Sequence, residues 1–267
     1  MYAFSYFRPA SIDEAVAFLK DHEGAKPLSG GMTLVPTLKQ RLAAPSHLVD
    51  LTWIPEMKGI TVDGDILRIG AATPHAVVAS SETVAQTIPA LSRLAGLIAD
   101  PQVRNRGTIG GSVANNDPAA DYPASALGLD ATVVTSERRI PADDFFVGMF
   151  ETALRETELV TAIEFKRPDA AAYLKYAHAA SGYAVAGVFV ARFGGAVRVA
   201  VTGAGSSVFR WTEAEEALAR SFGIESLRDV PLDDSMLLDD IHAPAPYRAN
   251  LVKVHARRAV AELTNGG

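Results

Sequence analysis

An α+β fold is predicted by three observations. Helical periodicities and short strands are mixed over the first two thirds of the chain, a strand hairpin follows, and helices close it. The G-x-G-x-x-G fingerprint of a doubly wound dinucleotide fold is absent, and so is G-x-x-x-x-G-K-S/T. The length, 267 residues, suits one large domain or two small ones.

Residues 11–22 read as a helix. Ser11 and Glu14 form an S-x-x-E capping box, and Ile12, Ala15, Val16 and Leu19 share one face. Leu34, Leu38 and Leu42 recur every fourth residue, so a short helix starts near Thr33. His47 to Leu51 and Ile66 to Ala71 read as strands. Thr73 and Pro74 then supply an N-cap and a first-turn proline. Pro89 to Ile98 reads as a helix. Asp100 to Pro123 lacks periodicity and is rich in Pro, Gly and Asn, which predicts a long ordered loop of functional use. Ala131 to Val134 and Leu159 to Phe165 read as strands, and Arg167-Pro168-Asp169 marks a boundary. Tyr183 to Phe193 and Ala196 to Thr202 form a hairpin through Gly194-Gly195. Thr212 and Glu215 suggest a second capping box. Leu232 to Asp240 reads as loop and short helix, its aspartates a solvated face. From Pro246 a final helix carries Val252, Ala256, Ala259, Val260 and Leu263 on one stripe. Its Arg248, Lys253, Arg257 and Arg258 read as ordinary complements of the helix dipole or as a partner-facing set.

Apolar residues make up 48% and charged residues 21%, as in soluble globular chains. A net charge of −6 argues against a general nucleic-acid binder. With no cysteine, the chain itself has no disulfide, Cys-ligated zinc, thiol nucleophile or Cys-ligated iron–sulfur cluster. No apolar run is long enough for a membrane span. The first residues lack the charged-then-apolar pattern of a signal peptide, so the cytoplasm is the expected compartment.

Two segments carry the chemistry: Ser29-Gly30-Gly31-Met32-Thr33 and Thr108-Ile109-Gly110-Gly111-Ser112. Adjacent glycines permit positive φ and admit a ligand close to the backbone. Successive N–H groups then converge on an anion, and a helix N-terminus after the first loop favours negative charge. A pair of such nests suits a pyrophosphate, hence a dinucleotide; the alternative is two tight turns. Asp121 is a candidate acceptor for ribose hydroxyls, or a turn or cap residue before Pro123. Asp117 with Asp121 is too few oxygen ligands for a hard cation.

Ser29 to Thr33, followed by Leu34-Val-Pro-Thr-Leu-Lys-Gln-Arg-Leu42, resembles the first FAD loop of the flavoprotein (medium) subunit of molybdenum hydroxylases, the group of carbon monoxide dehydrogenase and xanthine dehydrogenase. Asp100-Pro-Gln-Val-Arg-Asn-Arg-Gly-Thr-Ile-Gly-Gly-Ser-Val-Ala-Asn115, through Asp121, resembles that family's second FAD loop. The likeness runs from Phe7-Arg8-Pro9 to the final helix.

The resemblance implies a vanillyl-alcohol-oxidase-type FAD-binding domain over 1–167, with subdomains of about 1–55 and 56–167. A smaller C-terminal domain over 168–267 would hold a three-stranded antiparallel sheet and helices. FAD is implied between the subdomains, its pyrophosphate held by Ser29, Gly30, Gly31, Met32 and Thr33 and by Thr108, Ile109, Gly110, Gly111 and Ser112, with Asn115 in the same run. Asp121 is implied at the adenosine ribose, with further contacts from the backbone near Val160 and from Lys175. Thr73 and His75 fall where the family chain passes the flavin, although Thr73 also reads as an N-cap. The family's Gly-Asp-Tyr-Ala segment places a tyrosine near the isoalloxazine; the match is Ser181-Gly182-Tyr183-Ala184, so Tyr183 is the candidate and Gly182 is a departure. Tyr183 otherwise reads as a strand-edge core aromatic. His178 reads as an ordinary histidine or as a cofactor neighbour.

The flavin is then the catalytic group, and no side chain need act as acid or base. The implied partners are a small subunit with two 2Fe-2S clusters and a large molybdenum-cofactor subunit, in a heterotrimer or its dimer. Electrons would pass from the clusters to FAD and on to NAD⁺, oxygen, a quinone or a carrier. The absence of cysteine excludes the extra cluster of the family's 4-hydroxybenzoyl-CoA reductase-like branch. Two other functions stay open on sequence: a non-catalytic nucleotide-binding or assembly protein, and a stand-alone flavin oxidase.

Overall fold

The chain opens on a parallel sheet. The computed structural model describes residues 1–265, beginning with β1 (Ser5–Phe7), α1 (Ile12–Asp21), β2 (Lys26–Leu28), α2 (Leu34–Lys39) and β3 (His47–Asp50). The strand order is β1-β3-β2, with β3 central and parallel to both neighbours. The Ser11 hydroxyl accepts from Glu14 N at 3.2 Å, and the Glu14 carboxylate accepts from Ala10 N, so a reciprocal cap starts α1.

Next come β4 (Ile60–Asp63), β5 (Ile66–Gly70), α3 (His75–Ser80), α4 (Glu82–Thr87), α5 (Pro89–Gly96), α6 (Pro101–Arg106), α7 (Ile109–Asn115) and α8 (Tyr122–Gly128). The expected long loop over Asp100 to Pro123 is therefore three short helices. Each has a local cause that periodicity misses. Asp100 caps α6 through Val103 N, Thr108 caps α7 through Gly111 N, and Pro123 sits in the first turn of α8. The N-cap of α3 is Pro74 and not Thr73, whose hydroxyl turns to the Gly59 carbonyl.

Then follow β6 (Thr132–Thr135), β7 (Arg139–Pro141), α9 (Ala142–Phe145), β8 (Phe146–Gly148), β9 (Glu151–Thr152) and β10 (Val160–Lys166). An antiparallel sheet runs β4-β5-β10-β6-β7. Its central strands bury Leu67, Ile69, Val133, Ile163 and Phe165 completely.

The remainder is β11 (Ala170–Ala177), β12 (Ala184–Phe193), β13 (Ala196–Thr202), β14 (Phe209–Arg210), α10 (Thr212–Arg220) and α11 (Ala245–Asn265). The expected three-stranded sheet has a fourth strand, β14, too short to show a period of two. Gly194 and Gly195 close the hairpin, with Phe193 paired to Ala196. β12 is apolar on both faces because each faces a core. Phe189 and Ala191 join the core of the five-stranded sheet, and Ala186, Val188 and Val190 join a second core under α10 and α11.

Three readings of surface charge change. The second capping box does not form: Trp211 is the N-cap of α10, and Glu215 is buried, accepting from Val199 N and Arg210. Arg248 is no dipole complement; it is 3% exposed at the start of α11 and donates to the carbonyls of Val185, Gly203 and Ala243. Asp240 is not merely solvated, since its two oxygens accept from Arg248 Nη2 at 2.8 and 2.9 Å.

Candidate functional site

The two glycine segments meet. The Ser29 and Thr108 hydroxyls, 79 residues apart in sequence, are 2.7 Å apart in a hydrogen bond. Ser29 follows the strand β2, and Thr108 is the N-cap of α7. Glycine is required where the segments touch. A Cβ on Gly30 would lie 2.1 Å from the Arg106 carbonyl oxygen, and one on Gly110 would lie 2.4 Å from Ala71 Cβ. Gly31 has φ +73°, a left-handed conformation.

The segments differ in what they offer a ligand. Gly110 and Gly111 lie inside α7, without positive φ, and are not the nest expected of them. Their donors are engaged. Ile109 N bonds Thr73 O, Gly110 N bonds Ala71 O, Gly111 N bonds the Thr108 hydroxyl, and Ser112 N bonds Thr108 O. Among the described residues, the N–H groups of Gly30, Gly31, Met32 and Thr33 donate to no acceptor of the chain. Four consecutive free donors therefore precede α2, with Met32 and Thr33 exposed beside them. Backbone donors so placed favour an anion. The first loop carries the unengaged donors, and the second, its donors satisfied, packs beside it as a wall.

Thr73 is buried behind the wall, its carbonyl accepting from Ile109 N. Val160 is buried at the start of β10, and the next residue, Thr161, accepts from Ala71 N beneath Gly110. Asn115 ends α7, half-buried. Its neighbour Asn116, which sequence reasoning passed over, takes the left-handed φ of 42° that ends α7. Asn116 Nδ2 donates to the carbonyls of Gly148 and Glu151, both at 2.8 Å. The Asn-Asn pair after an apolar turn was the available signal.

His75 anchors the wall from behind. Its N–H donates to Gly107 O at 2.9 Å, and its ring fills the space a Cβ on Gly107 would need. Burial, helped by the nearby Arg104 charge, lowers its pKa to about 4, so the ring is neutral. Its ring lies 5.3 Å from that of Tyr122, and burial raises the Tyr122 pKa.

A second group forms where α8 begins. Asp121 is 5% exposed and accepts from the Tyr173 hydroxyl and from Lys175 Nζ, the latter at 2.9 Å. It makes no side-chain cap for α8. Burial raises its pKa, with Lys175 opposing. Both its oxygens already face protein donors, so a ribose hydroxyl would have to join or displace them. Lys175 Nζ also donates to Leu97 O at 2.9 Å and Gly182 O at 2.8 Å. Tyr183 is 43% exposed and precedes β12, so it is not a core aromatic. Burial raises its pKa, as do the charges of Asp117 and Asp121. His178 N donates to Tyr183 O, and the His178 ring lies 5.0 Å from that of His242. Asp117 accepts from Ala119 N in a local turn. Among the described residues no three His, Asp or Glu side chains gather as metal ligands, and no helix is long and apolar enough to cross a membrane.

The family model described as the FAD binding domain in molybdopterin dehydrogenase matches residues 2–167. The nicotine 6-hydroxylase medium subunit of Paenarthrobacter nicotinovorans is 35% identical, over 97% of this chain and 97% of its own length. The carbon monoxide dehydrogenase medium chain of Hydrogenophaga pseudoflava is 35% identical, over 96% of each chain. A chain of the Cu,Mo-CO dehydrogenase in its cyanide-inactivated form superposes with a TM-score of 0.90 at 35% identity, covering 98% of both chains. A chain of quinoline 2-oxidoreductase from Pseudomonas putida 86 gives 0.87 at 30% identity, covering 99% of this chain and 98% of its own.

Proposed function

The chain belongs to the family of FAD-binding domains of molybdopterin dehydrogenases, and from that premise we propose that it is the FAD-carrying medium subunit of a multi-subunit molybdenum hydroxylase. The observation that carries this reading is the joined pair of glycine loops with four free N–H donors on Gly30 to Thr33. That cradle fits a pyrophosphate: it is a row of neutral donors at a close backbone approach, which a Cβ would fill. Bound FAD supplies a ring that accepts and releases electrons singly or in pairs.

This chain's own residues hold and orient. The N–H groups of Gly30 to Thr33 would hold the phosphate oxygens, and the Ser29–Thr108 bond ties their loop to the wall. Thr108, Ile109, Gly110, Gly111 and Ser112 form that wall, with Asn115, Val160 and Thr73 as its surroundings. Tyr183 is the side chain placed to approach the flavin ring. Its exposure, on a loop outside the cores, supports the role.

With no cysteine, this chain holds no Cys-ligated cluster; in this reading the 2Fe-2S clusters and the molybdenum centre would sit on a small and a large partner subunit, in a heterotrimer or its dimer. Bound there, FAD would supply the relay between those clusters and an external acceptor. The domain reading goes with this. One FAD-binding unit covers 1–167, with parts of about 1–55 and 56–167 in the vanillyl-alcohol-oxidase manner, and a second unit covers 168–267. It is supported by the end of the family match at residue 167 and by the separate parallel sheet of residues 5–50.

The test is the absorption spectrum of the complex purified through this chain, with release and chromatography of its flavin. FAD in stoichiometric amount supports the reading. Gly30→Val, which drives a branched side chain into the Arg106 carbonyl, should lose the flavin while circular dichroism stays near wild type. A folded complex that takes up no FAD at high micromolar concentration overturns the reading and favours an assembly role.

A further inference from the structure

The parallel sheet of residues 5–50 has two unlike faces. On one, Phe7 of β1 pairs with Val49 of β3 and stacks on Phe18 of α1, with 4.0 Å between ring centroids. Side chains alternate along a strand, so Tyr6 and Arg8 take the opposite face, with Leu48 and Asp50 of β3. A parallel sheet is ordinarily covered on both faces. On this one Tyr6 and Trp53 stay more than half exposed, at 53% and 55%. Tyr2, Phe4 and, after α2, Leu42 are exposed as well.

Three cations lie over these rings. The Arg8 guanidinium carbon is 3.8 Å from the Trp53 ring centroid, and Lys58 Nζ is 5.8 Å from it. The Arg41 guanidinium carbon is 5.7 Å from the Tyr2 centroid. Among the described residues, none of the three forms an ion pair. Asp50 is already engaged: its carboxylate accepts from the Tyr6 hydroxyl and from the Thr52 N–H and hydroxyl. Apart from Glu56, the exposed acids of this part of the chain are Asp13, Glu14, Asp21 and Glu23, on α1 or just after it, which packs on the Phe7 side. The face is therefore aromatic and positive on a chain of net charge −6. Single exposed aromatics need no account, but a group of them under unpaired cations does. Stacking holds the Arg8 guanidinium flat with its N–H edges free for carboxylates.

We infer that the Tyr6–Arg8–Trp53 face of the parallel sheet is a docking surface for a protein partner that presents carboxylates. Trp, Tyr and Arg are the residue types that dominate binding hot spots, and the charge pattern selects an acidic partner. Taking that partner to be a subunit of the complex rests on the function proposed above; the surface itself does not. A second copy fits less well. The matching acids lie on α1, a different patch, so copies would join head to tail without the self-complementary contact of a two-fold dimer, and two chains of charge −6 repel.

The test exposes the complex purified through this chain, and the full chain alone, to hydroxyl radicals and reads oxidation of Tyr6 and Trp53 by mass spectrometry. Docking gives oxidation slower by about threefold or more at both residues in the complex. Arg8→Glu/Lys58→Glu should weaken assembly by about tenfold or more, and added salt should weaken wild type in the same direction, while circular dichroism and the dissociation constant for FAD stay unchanged. If that variant fails to fold, Arg8→Gln/Lys58→Gln removes the charges alone and should still weaken assembly. Unchanged oxidation in the complex, or assembly indifferent to both pairs, overturns the inference. A chain that purifies without any partner chain overturns it too. Protection that arises when the chain alone self-associates assigns the face to a second copy and overturns the acidic partner. Flavin content is read separately: a protected face in a complex without FAD keeps this inference and removes the flavoprotein reading, and FAD in a complex with a freely oxidised face does the reverse.

Discussion

An added methyl group separates the glycines of this chain by role. Gly30→Ala puts a Cβ against backbone that cannot swing aside, and about 2–3 kcal/mol of stability should go together with FAD retention. Gly31→Ala meets the strain of φ +73° and should cost about 1–2 kcal/mol while distorting the donor row. Gly195→Ala has open space and no positive φ, and should stay within about 0.5 kcal/mol of wild type. Urea midpoints with a parallel FAD titration would rank the three. His75 gives a pH signature. Its pKa falls from 6.5 unfolded to about 4 folded. The unfolded chain therefore binds the extra proton first, and stability is lost as pH drops from 6.5 through 4. The His75 ring is packed against Gly107, and charging it should disturb that contact, so FAD should be released over the same window. His75→Gln should flatten that part of the melting temperature–pH curve, and an unchanged curve would sink the assignment. Glu158 behaves alike at lower pH. Burial alone would raise its pKa, but hydrogen bonds from Arg138, Thr135 and Arg155 N prevail and hold it at about 2. Its contribution is present above pH 4.5 and lost as pH falls through 2.

Elements differ in how plainly the sequence announces them. Helix α1 has a stripe and a reciprocal cap, both local, and its bounds follow. The hairpin of β12 and β13 follows from Gly194-Gly195 between β-branched runs. Three short helices that start between Asp100 and Pro123 were not legible, because six or seven residues are too few to show a period; their caps and first-turn prolines were the remaining signal. The site was half legible. Paired glycines mark both loops, but their division into nest and wall depends on which N–H groups tertiary contacts engage. Arg248 looked like a surface charge because no local pattern reveals three carbonyls from distant strands and loops. Arg248→Met should remove the guanidinium's bonds to those carbonyls and to Asp240 and detach the start of α11. We expect a loss of about 3–5 kcal/mol in denaturant unfolding, against a smaller one for Asp240→Asn, which keeps the guanidinium's carbonyl bonds.

Across the whole molecule the two cores share a wall. Tyr173, Phe189, Ala200 and Val208, all after residue 167, belong to the core of the five-stranded sheet, and Phe189 lies against Gly128. A fragment of residues 1–167 exposes that surface. Expressed alone it should bind ANS and lack sharp near-ultraviolet circular dichroism, although the family match ends where the fragment does. A cooperative, ANS-silent fragment would show that the shared wall is dispensable. The hydrogen bond between Ser29 and Thr108 sets an order in time as well as a place. Joining those residues closes a loop of 79 positions, an entropic cost of about 4 kcal/mol that local contacts do not offset. Until that closure is made, the donor row of Gly30 to Thr33 has no wall behind it. A chain that retains its cofactor through both segments has therefore brought them together, so loading reports on that long-range closure.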